Sequence, residues 1–481
     1  MTRARTRWRR GEAFTYLGLA VAAAGVFALD PPAFAETYPA ETTAKAFIRT
    51  FNSGDRSAYE GFLKARRWAF TDGDEFAIMR DQTGGYVPIR TKRVGRDEVE
   101  ETVRSRLADD YWIMDLKLVE HGRSIERLAF RPVERPADVP APRRVAPAAI
   151  GRLIDRRIAA MGDFSGVVLV AAGGRPVVLR AAGMADREQG VANTIDTRFG
   201  LASMGKMFTA VAVLQLVQAG RVELDAPIGT YLKDYPNAEF GRSVTVRELL
   251  THTGGAGDFM SQLWADNLAH LRTPADYVAL FGARAPEFPP GSRFSYANYG
   301  YVVLGRIIEA VSGQAYDQYL QDHIFGPADM ARTGLHPVDP RFETAKSHVK
   351  DGFPPPPPAL MSPLGREGTP AGGAFSTAPD LLAFAKALTG HRLLDAAHTE
   401  MLFTPEVNGG MGPTGLGFDT FGRGAVREVG HNGGGPGENG GFRILDDGGA
   451  VIVVLSNVAP TWRGDKLCAF IAARLHVGQH Q

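Results

Sequence analysis

Residues 200–220 read Gly200-Leu-Ala-Ser203-Met-Gly-Lys206-Met-Phe-Thr-Ala-Val-Ala-Val-Leu-Gln-Leu-Val-Gln-Ala-Gly220. The stretch predicts a strongly apolar helix through Phe208, Val211, Val213, Leu214 and Leu216, with Gly220 as a natural residue to end it. Its first turn carries a hydroxyl and an amine, Ser203 and Lys206. An i, i+3 offset places both on one helix face. Ser203 at the N-terminus feels a helix dipole that favours developing negative charge. A lysine in a partly desolvated site gives up its proton and can act as a base towards such a hydroxyl. The spacing recurs in Ser347-His348-Val349-Lys350, but in a polar stretch with no apolar helix behind it, which reads as coincidence.

Two other readings of this stretch fail on particular residues. Gly200 to Lys206 nearly matches a phosphate-binding loop, but position 207 is Met, where a hydroxyl must meet magnesium. The residues ahead of it, Thr194-Ile-Asp-Thr-Arg-Phe199, are not a buried apolar strand. No Gly-x-Ser-x-Gly occurs in the chain, so an α/β-hydrolase nucleophile elbow is unsupported.

Two further elements carry chemistry. Tyr296-Ala297-Asn298 follows the turn Pro289-Pro290-Gly291-Ser292 and precedes a helix expected over 300–311. A phenol there can approach the nucleophile, and a neighbouring ammonium would favour phenolate as a general base. The Asn298 amide can orient Lys206 or a substrate. The other element, His431-Asn432-Gly433-Gly434, lies in a Gly-rich run entering a strand. A strand edge stripped of side chains admits close approach of a substrate backbone. The Gly434 and Ser203 N–H groups could together form an oxyanion hole. No His or Glu at metal-ligand spacing accompanies His431, so no metal is expected.

In this order, Ser203-x-x-Lys206, Tyr296-x-Asn298 and His431-x-Gly433 resemble the serine β-lactamase and penicillin-binding-protein superfamily, in particular the class C β-lactamase-related hydrolases. Leu249-Leu250-Thr251-His252-Thr253-Gly254-Gly255, Phe294-Ser295-Tyr296-Ala297-Asn298-Tyr299-Gly300-Tyr301 and Pro370-Ala371-Gly372-Gly373 add to the likeness, which covers roughly residues 147–475. Gly254 stands where Ser is usual, and Phe325-Gly326-Pro327-Ala328-Asp329-Met330 departs from the usual Pro-Leu-Gly-Met. The resemblance implies attack by Ser203 on a carbonyl, with Lys206 and Tyr296 sharing proton traffic. It implies an oxyanion site at the Ser203 and Gly434 N–H groups, and Asn298, His431 and Gly433 holding substrate. An acyl-enzyme then forms and is hydrolysed, with no metal or cofactor. His252, after a helix capped by Thr245 and Glu248, reads as structural. Lysine is common at the third motif and would face a substrate carboxylate, whereas His431 is mostly neutral at pH 7. An esterase or D-peptidase is therefore favoured over a true β-lactamase. The rival from another class is a non-catalytic binding protein on the same fold.

The implied fold class is α/β of the α+β sandwich type. A mixed, mostly antiparallel sheet is flanked by helices and joined to an all-helical subdomain. The sequence around the motifs agrees. An amphipathic helix over 148–161 precedes a hairpin, Gly166–Ala172 and Pro176–Ala182, around Gly173-Gly174. Phe442–Leu445 and Ala450–Leu455 read as paired strands, followed by a helix over 462–475. Strands at both ends with helices between imply a sheet closed by both termini. Upstream, 133–145 is a Pro-rich linker, separating this domain (146–478) from a small α+β accessory domain at 36–132. There Leu116, Leu118, Leu128 and Phe130 alternate with charged residues as half-buried strands do, Thr42-Thr43 are candidate caps for a first helix, and the likeness is to cystatin-like accessory domains. Five prolines at 354–358 predict an exposed polyproline II loop.

Residues 1–35 have the layout of an export signal: Arg3, Arg5, Arg7, Arg9 and Arg10, a 17-residue uncharged run from Ala13 to Leu29, then Ala33-Phe34-Ala35 as a cleavage pattern. The alternative is a retained anchor; Arg9-Arg10 is a weak twin-arginine match. The expected location is periplasmic or extracellular, with no membrane span after cleavage. The chain has 481 residues, 54 Lys+Arg and 53 Asp+Glu, a balance that gives no case for a nucleic-acid partner. The expected partner is a small-molecule or peptide substrate. One cysteine, Cys468, excludes an internal disulfide, so stability rests on core size.

Overall fold

The computed structural model describes residues 40–68, 74–107, 110–350, 368–409, 412–421, 426–445, 448–459 and 463–475. The expected export signal at 1–35, the five prolines at 354–358 and the expected turn at Asp446-Asp447 lie outside the described residues. Two compact units divide in sequence between Arg143 and Arg144.

In the first unit, helices Ala40–Ser53, Arg56–Lys64 and Asp74–Thr83 precede four strands, Tyr86–Arg93, Glu98–Ser105, Tyr111–Val119 and Ser124–Val133. The strands pair antiparallel in sequence order. Val99, Val103, Met114, Leu116, Leu118, Leu128 and Phe130 fill one sheet face, against Phe47, Phe51 and Tyr59 from the helices. Glu98–Ser105 is a strand that its charged sequence conceals: every second residue is buried, Glu101 among them. Thr43 does not cap the first helix; it lies inside it, fully buried. The cap seen here is Asp55, which accepts from the Ala58 amide at the start of Arg56–Lys64.

The second unit is built on an eight-stranded sheet in the order Val407–Asn408, Pro413–Thr414, Asp419–Thr420, Glu428–Gly435, Glu438–Leu445, Ala450–Ser456, Gly166–Ala172, Arg175–Ala182. Every adjacent pair in it is antiparallel. Parallel pairing occurs in the two-residue ladder of His348–Val349 with Val458–Ala459 and in isolated bridges. The N-terminal strand Gly166–Ala172 pairs along its length with the C-terminal strand Ala450–Ser456, so both ends close the sheet. Ala450–Ser456 is buried at every position. A strand apolar on both faces needs cover on both; the helix Ala378–Thr389 and the helix Arg463–Ala472 both pack against it.

The helix predicted from the opening stretch is Lys206–Gln218, buried on every side from Lys206 to Leu214. Phe208 meets Phe325 and Phe384 edge-on at 5.1 and 5.0 Å. Ser203 itself sits one turn earlier than expected, in a 3-10 turn, Ala202–Gly205, that leads into the helix. Gly220 takes the left-handed conformation (φ +67°) just past its end. The helical subdomain lies between this helix and the later strands in sequence, and includes Val246–Leu250 and Asn298–Ser312. Asn298 is thus in the first turn of its helix, two residues earlier than the predicted start. The second Ser-x-x-Lys is not helical; its Lys350 pairs with Asp163 at 2.8 Å.

Candidate active site

The Ser203 turn is held in an unusual backbone shape. Ala202 has φ +44°, a left-handed conformation that costs a side-chain-bearing residue about 1–2 kcal/mol. The clasp around it supplies the compensation. Gly373 donates its amide to the Ala202 carbonyl at 3.1 Å. A Cβ on Gly372, at φ +145°, would lie 2.5 Å from that same carbonyl oxygen. On the other side Gly433 of the strand Glu428–Gly435 presses so close that a Cβ would lie 2.3 Å from Leu201 O. The two Gly-rich segments thus fix the Ser203 turn by backbone contact. Ser203 itself stays half-exposed.

Lys206 is fully buried. Its Nζ donates to Ser203 Oγ at 3.3 Å, to Asn298 Oδ1 at 2.7 Å and to Ala371 O at 2.5 Å. Two of these partners, an amide oxygen and a carbonyl, can only accept. When Lys206 loses a proton its two remaining hydrogens stay on them, and its lone pair faces the Ser203 hydroxyl. Burial brings its pKa down to about 7, against the pull of Asp258 and Asp419, which favour the ammonium. The amine form is therefore accessible at neutral pH.

The Tyr296 phenol lies beside Ser203, which favours its ionised form. Its ring packs under Lys206 Nζ, 4.8 Å from the centroid. Burial raises its pKa well above 10, and Asp419 and Asp258 add to this, opposed by Ser203. The sequence expectation of a stabilised phenolate base is corrected here: with Lys206 near neutrality, water exclusion dominates and Tyr296 stays protonated. Lys206 is the better resting base.

Asn298 is the bridge. Its Oδ1 takes the Lys206 donor and its Nδ2 donates to Asp258 Oδ2 at 2.8 Å. This assigns the amide orientation, and Asn298 acts on Lys206 first. Asp258 escaped the sequence reading because it matches no motif spacing; the Gly254-Gly255-Ala256-Gly257 run that delivers it was the available signal. Ala371 O lay inside the quoted Pro-Ala-Gly-Gly, but a carbonyl has no sequence signature.

His252 supports the second motif from behind. Its Nδ1 accepts the Ala297 amide at 3.1 Å, its carbonyl accepts from Ser295 at 2.9 Å, and its ring stacks on Tyr296 with centroids 4.4 Å apart. Burial, then the Lys206 charge, holds its pKa far below 6.5, so it stays neutral.

His431 is buried on its strand and makes no hydrogen bond to Ser203, Lys206 or Tyr296 among the described residues. Its Nδ1 lies 2.5 Å from Asn432 O; a carbonyl only accepts, so Nδ1 carries the hydrogen. Burial lowers its pKa; Asp419 opposes this, and Lys206 and Arg443 reinforce it. Behind the strand, the buried Arg443 donates to Asn432 Oδ1 at 2.6 Å, with its guanidinium 3.2 Å above the Phe421 ring. Gly434 is exposed on the same strand. The three motifs therefore converge. Ser203, Lys206 and Asn298 form one hydrogen-bonded set, with the Tyr296 ring packed against Lys206. His431, Gly433 and Gly434 lie on the strand that abuts the Ser203 turn. No group of three or more His, Cys, Asp or Glu side chains is arranged to hold a metal among the described residues.

A buried lysine aimed at a half-exposed serine beside an antiparallel sheet defines a serine hydrolase of the β-lactamase-related class. Residues 154–475 match the Beta-lactamase family model, and the chain belongs to that family. It is 32% identical over 296 residues to Penicillin-binding protein 4 of Amycolatopsis lactamdurans, covering 58% of this chain and 76% of that protein. It is 34% identical over 203 residues to Esterase EstB of Burkholderia gladioli, covering 40% and 51%. The crystal structure of a penicillin-binding protein from Bacillus halodurans superposes with a TM-score of 0.59 at 33% identity, over 67% of this chain and 98% of that one. Among the described residues no helix is long and apolar enough to cross a membrane.

Proposed function

We propose that this protein is an exported hydrolase that cleaves esters or amides through an acyl-enzyme on Ser203, of the esterase or D-peptidase type. The observation that carries this is the Lys206 amine, 3.3 Å from Ser203 Oγ, with its other hydrogens committed to Asn298 and Ala371. Lys206 takes the hydroxyl proton as Ser203 attacks the carbonyl. The Ser203 N–H, at the start of a helical turn where amides lack internal acceptors, and the Gly434 N–H receive the oxyanion. Tyr296, protonated and beside Ser203, passes a proton to the leaving group and regains it from the Lys206 side. Water then releases the acyl group by the reverse sequence. His431 and Gly433 line the strand edge along which substrate lies.

The neutral His431 supports esters and amides without a carboxylate over β-lactams, because it presents no cation to bind one. The N-terminal features of residues 1–35 support export, and 36–132, joined through 133–145 to a hydrolase domain at 146–478, supports an accessory module. The test is p-nitrophenyl ester and nitrocefin turnover side by side, with Ser203→Ala as control. Ester cleavage that Ser203→Ala abolishes is the expected result. Fast nitrocefin turnover with no ester cleavage would overturn the preference for esters.

A further inference from the structure

Asp258 has both carboxylate oxygens in use. Its Oδ2 accepts from Asn298 Nδ2 at 2.8 Å, and its Oδ1 accepts from the Phe259 and Met260 amides at 2.7 and 3.2 Å. One oxygen is spent on the loop's own backbone and the other on the residue that holds Lys206. The loop therefore sets where the Asn298 contact falls. Yet three of the four residues before Asp258 are glycine, and Gly255 and Gly257 both take φ +67°. Glycine loses more backbone freedom on ordering than any other residue. Such a segment keeps one shape only when something outside it holds it.

Arg284, three residues past the helix Pro274–Phe281, supplies that hold. Its Nη1 donates to Asp258 O at 2.6 Å and its Nη2 to Ala256 O at 3.4 Å, so one guanidinium fork grips the carbonyls on either side of Gly257. Nε donates to Phe281 O at 3.1 Å and ties the fork to the end of that helix. The same guanidinium lies over the ring of Tyr299, 4.7 Å from its centroid, where a cation is attracted to the aromatic face. Tyr299 follows Asn298 in sequence, is 1% exposed, and has its hydroxyl fixed 3.0 Å from that of Tyr235. One side chain thus holds the loop that carries Asp258 and the helix turn that carries Asn298, the two partners of the 2.8 Å contact. Arg284 itself makes no hydrogen bond to Ser203, Lys206 or Asn298 among the described residues.

We infer that Arg284 is a positioning residue of the active site: by clamping the Asp258 loop to the Tyr299 ring it fixes the Asp258–Asn298 contact, and through Asn298 the placement of Lys206 on Ser203. This rests on the hydrolase reading above and adds to it a residue that lies outside all three motifs.

The test is a double-mutant cycle read as kcat and KM on a p-nitrophenyl ester, with the parent, Arg284→Ala, Asp258→Ala and the double variant. A small misplacement of a reacting group costs up to about hundredfold in rate, so Arg284→Ala should lower kcat about tenfold while KM changes less than about twofold. Asp258→Ala should lower kcat at least as much. Because Arg284 acts through Asp258, the double variant should fall within about twofold of Asp258→Ala alone, the mark of coupled residues. Arg284→Lys keeps a cation over Tyr299 without the planar fork; it is the variant to read if Arg284→Ala does not fold, and its kcat should fall several-fold. Parent kcat in Arg284→Ala or Arg284→Lys, or losses that multiply in the double variant, overturns the positioning role and leaves the hydrolase standing. A parent Ser203 that neither labels with a fluorophosphonate nor turns over any ester overturns both.

Discussion

Lys206 and Asn298, 92 residues apart in sequence, are joined by a 2.7 Å hydrogen bond in the buried centre of the site. Asn298→Ala removes that acceptor and orphans the Asp258 contact. Ester kcat/KM should drop about hundredfold, from the loss of roughly 2–3 kcal/mol of hydrogen bonding to charged groups. Steady-state kinetics on a p-nitrophenyl ester checks this; an unchanged kcat/KM would mean that Asn298 does not set the position of Lys206.

Lys206 titrates near 7 in the folded chain, against about 10.4 in a free lysine. If its amine is the base, kcat/KM should rise through pH 7 and be flat above it, and a profile flat down to pH 5 would exclude it. The same shift bears on stability. Between the two pKa values the unfolded chain binds the extra proton, so folding stability gains as pH rises through this window, by up to about 1.4 kcal/mol per unit. Lys206→Met carries no such charge. Its stability relative to the parent should therefore be greatest below pH 7 and should shrink towards pH 10, as measured by urea unfolding.

His252→Phe keeps a ring to stack on Tyr296 and removes the acceptor for the buried Ala297 amide. Leaving a buried donor unsatisfied costs about 1–3 kcal/mol. Chemical denaturation should show that loss, and kcat should fall as Tyr296 loosens. Full activity with lowered stability would confine His252 to the fold.

Gly433→Ala introduces a methyl group 2.3 Å from Leu201 O, a backbone atom that cannot rotate away. The strand must separate from the Ser203 turn. Ester turnover should fall more than tenfold while the far-ultraviolet circular dichroism is retained. Wild-type turnover would show that this contact does not set the geometry.

The candidate site residues were largely legible as a group because each falls at fixed spacing beside a strong structural signal: Ser203 and Lys206 before an apolar helix, Tyr296 and Asn298 ahead of another, His431 in a Gly-rich strand. The sheet was legible where strands are continuously apolar, as in Ala450–Ser456, and illegible where charges alternate, as in Glu98–Ser105. Asp258, Asp419 and the Ala371 carbonyl were not legible. They act through tertiary placement, on Lys206 from a loop, an inner strand of the sheet and a backbone carbonyl that share no local pattern. The protonation of Tyr296 was misjudged because burial, invisible in sequence, outweighs the neighbouring amine.

On the reading proposed above, the Ser203 hydroxyl is activated by Lys206 to take an acyl group. Intact-mass analysis after exposure to a fluorophosphonate and to a panel of acyl esters tests it directly. One covalent adduct on Ser203, absent in Ser203→Ala and strongly slowed in Lys206→Met, is the predicted result. An unlabelled parent, or equal labelling of Ser203→Ala, would contradict it.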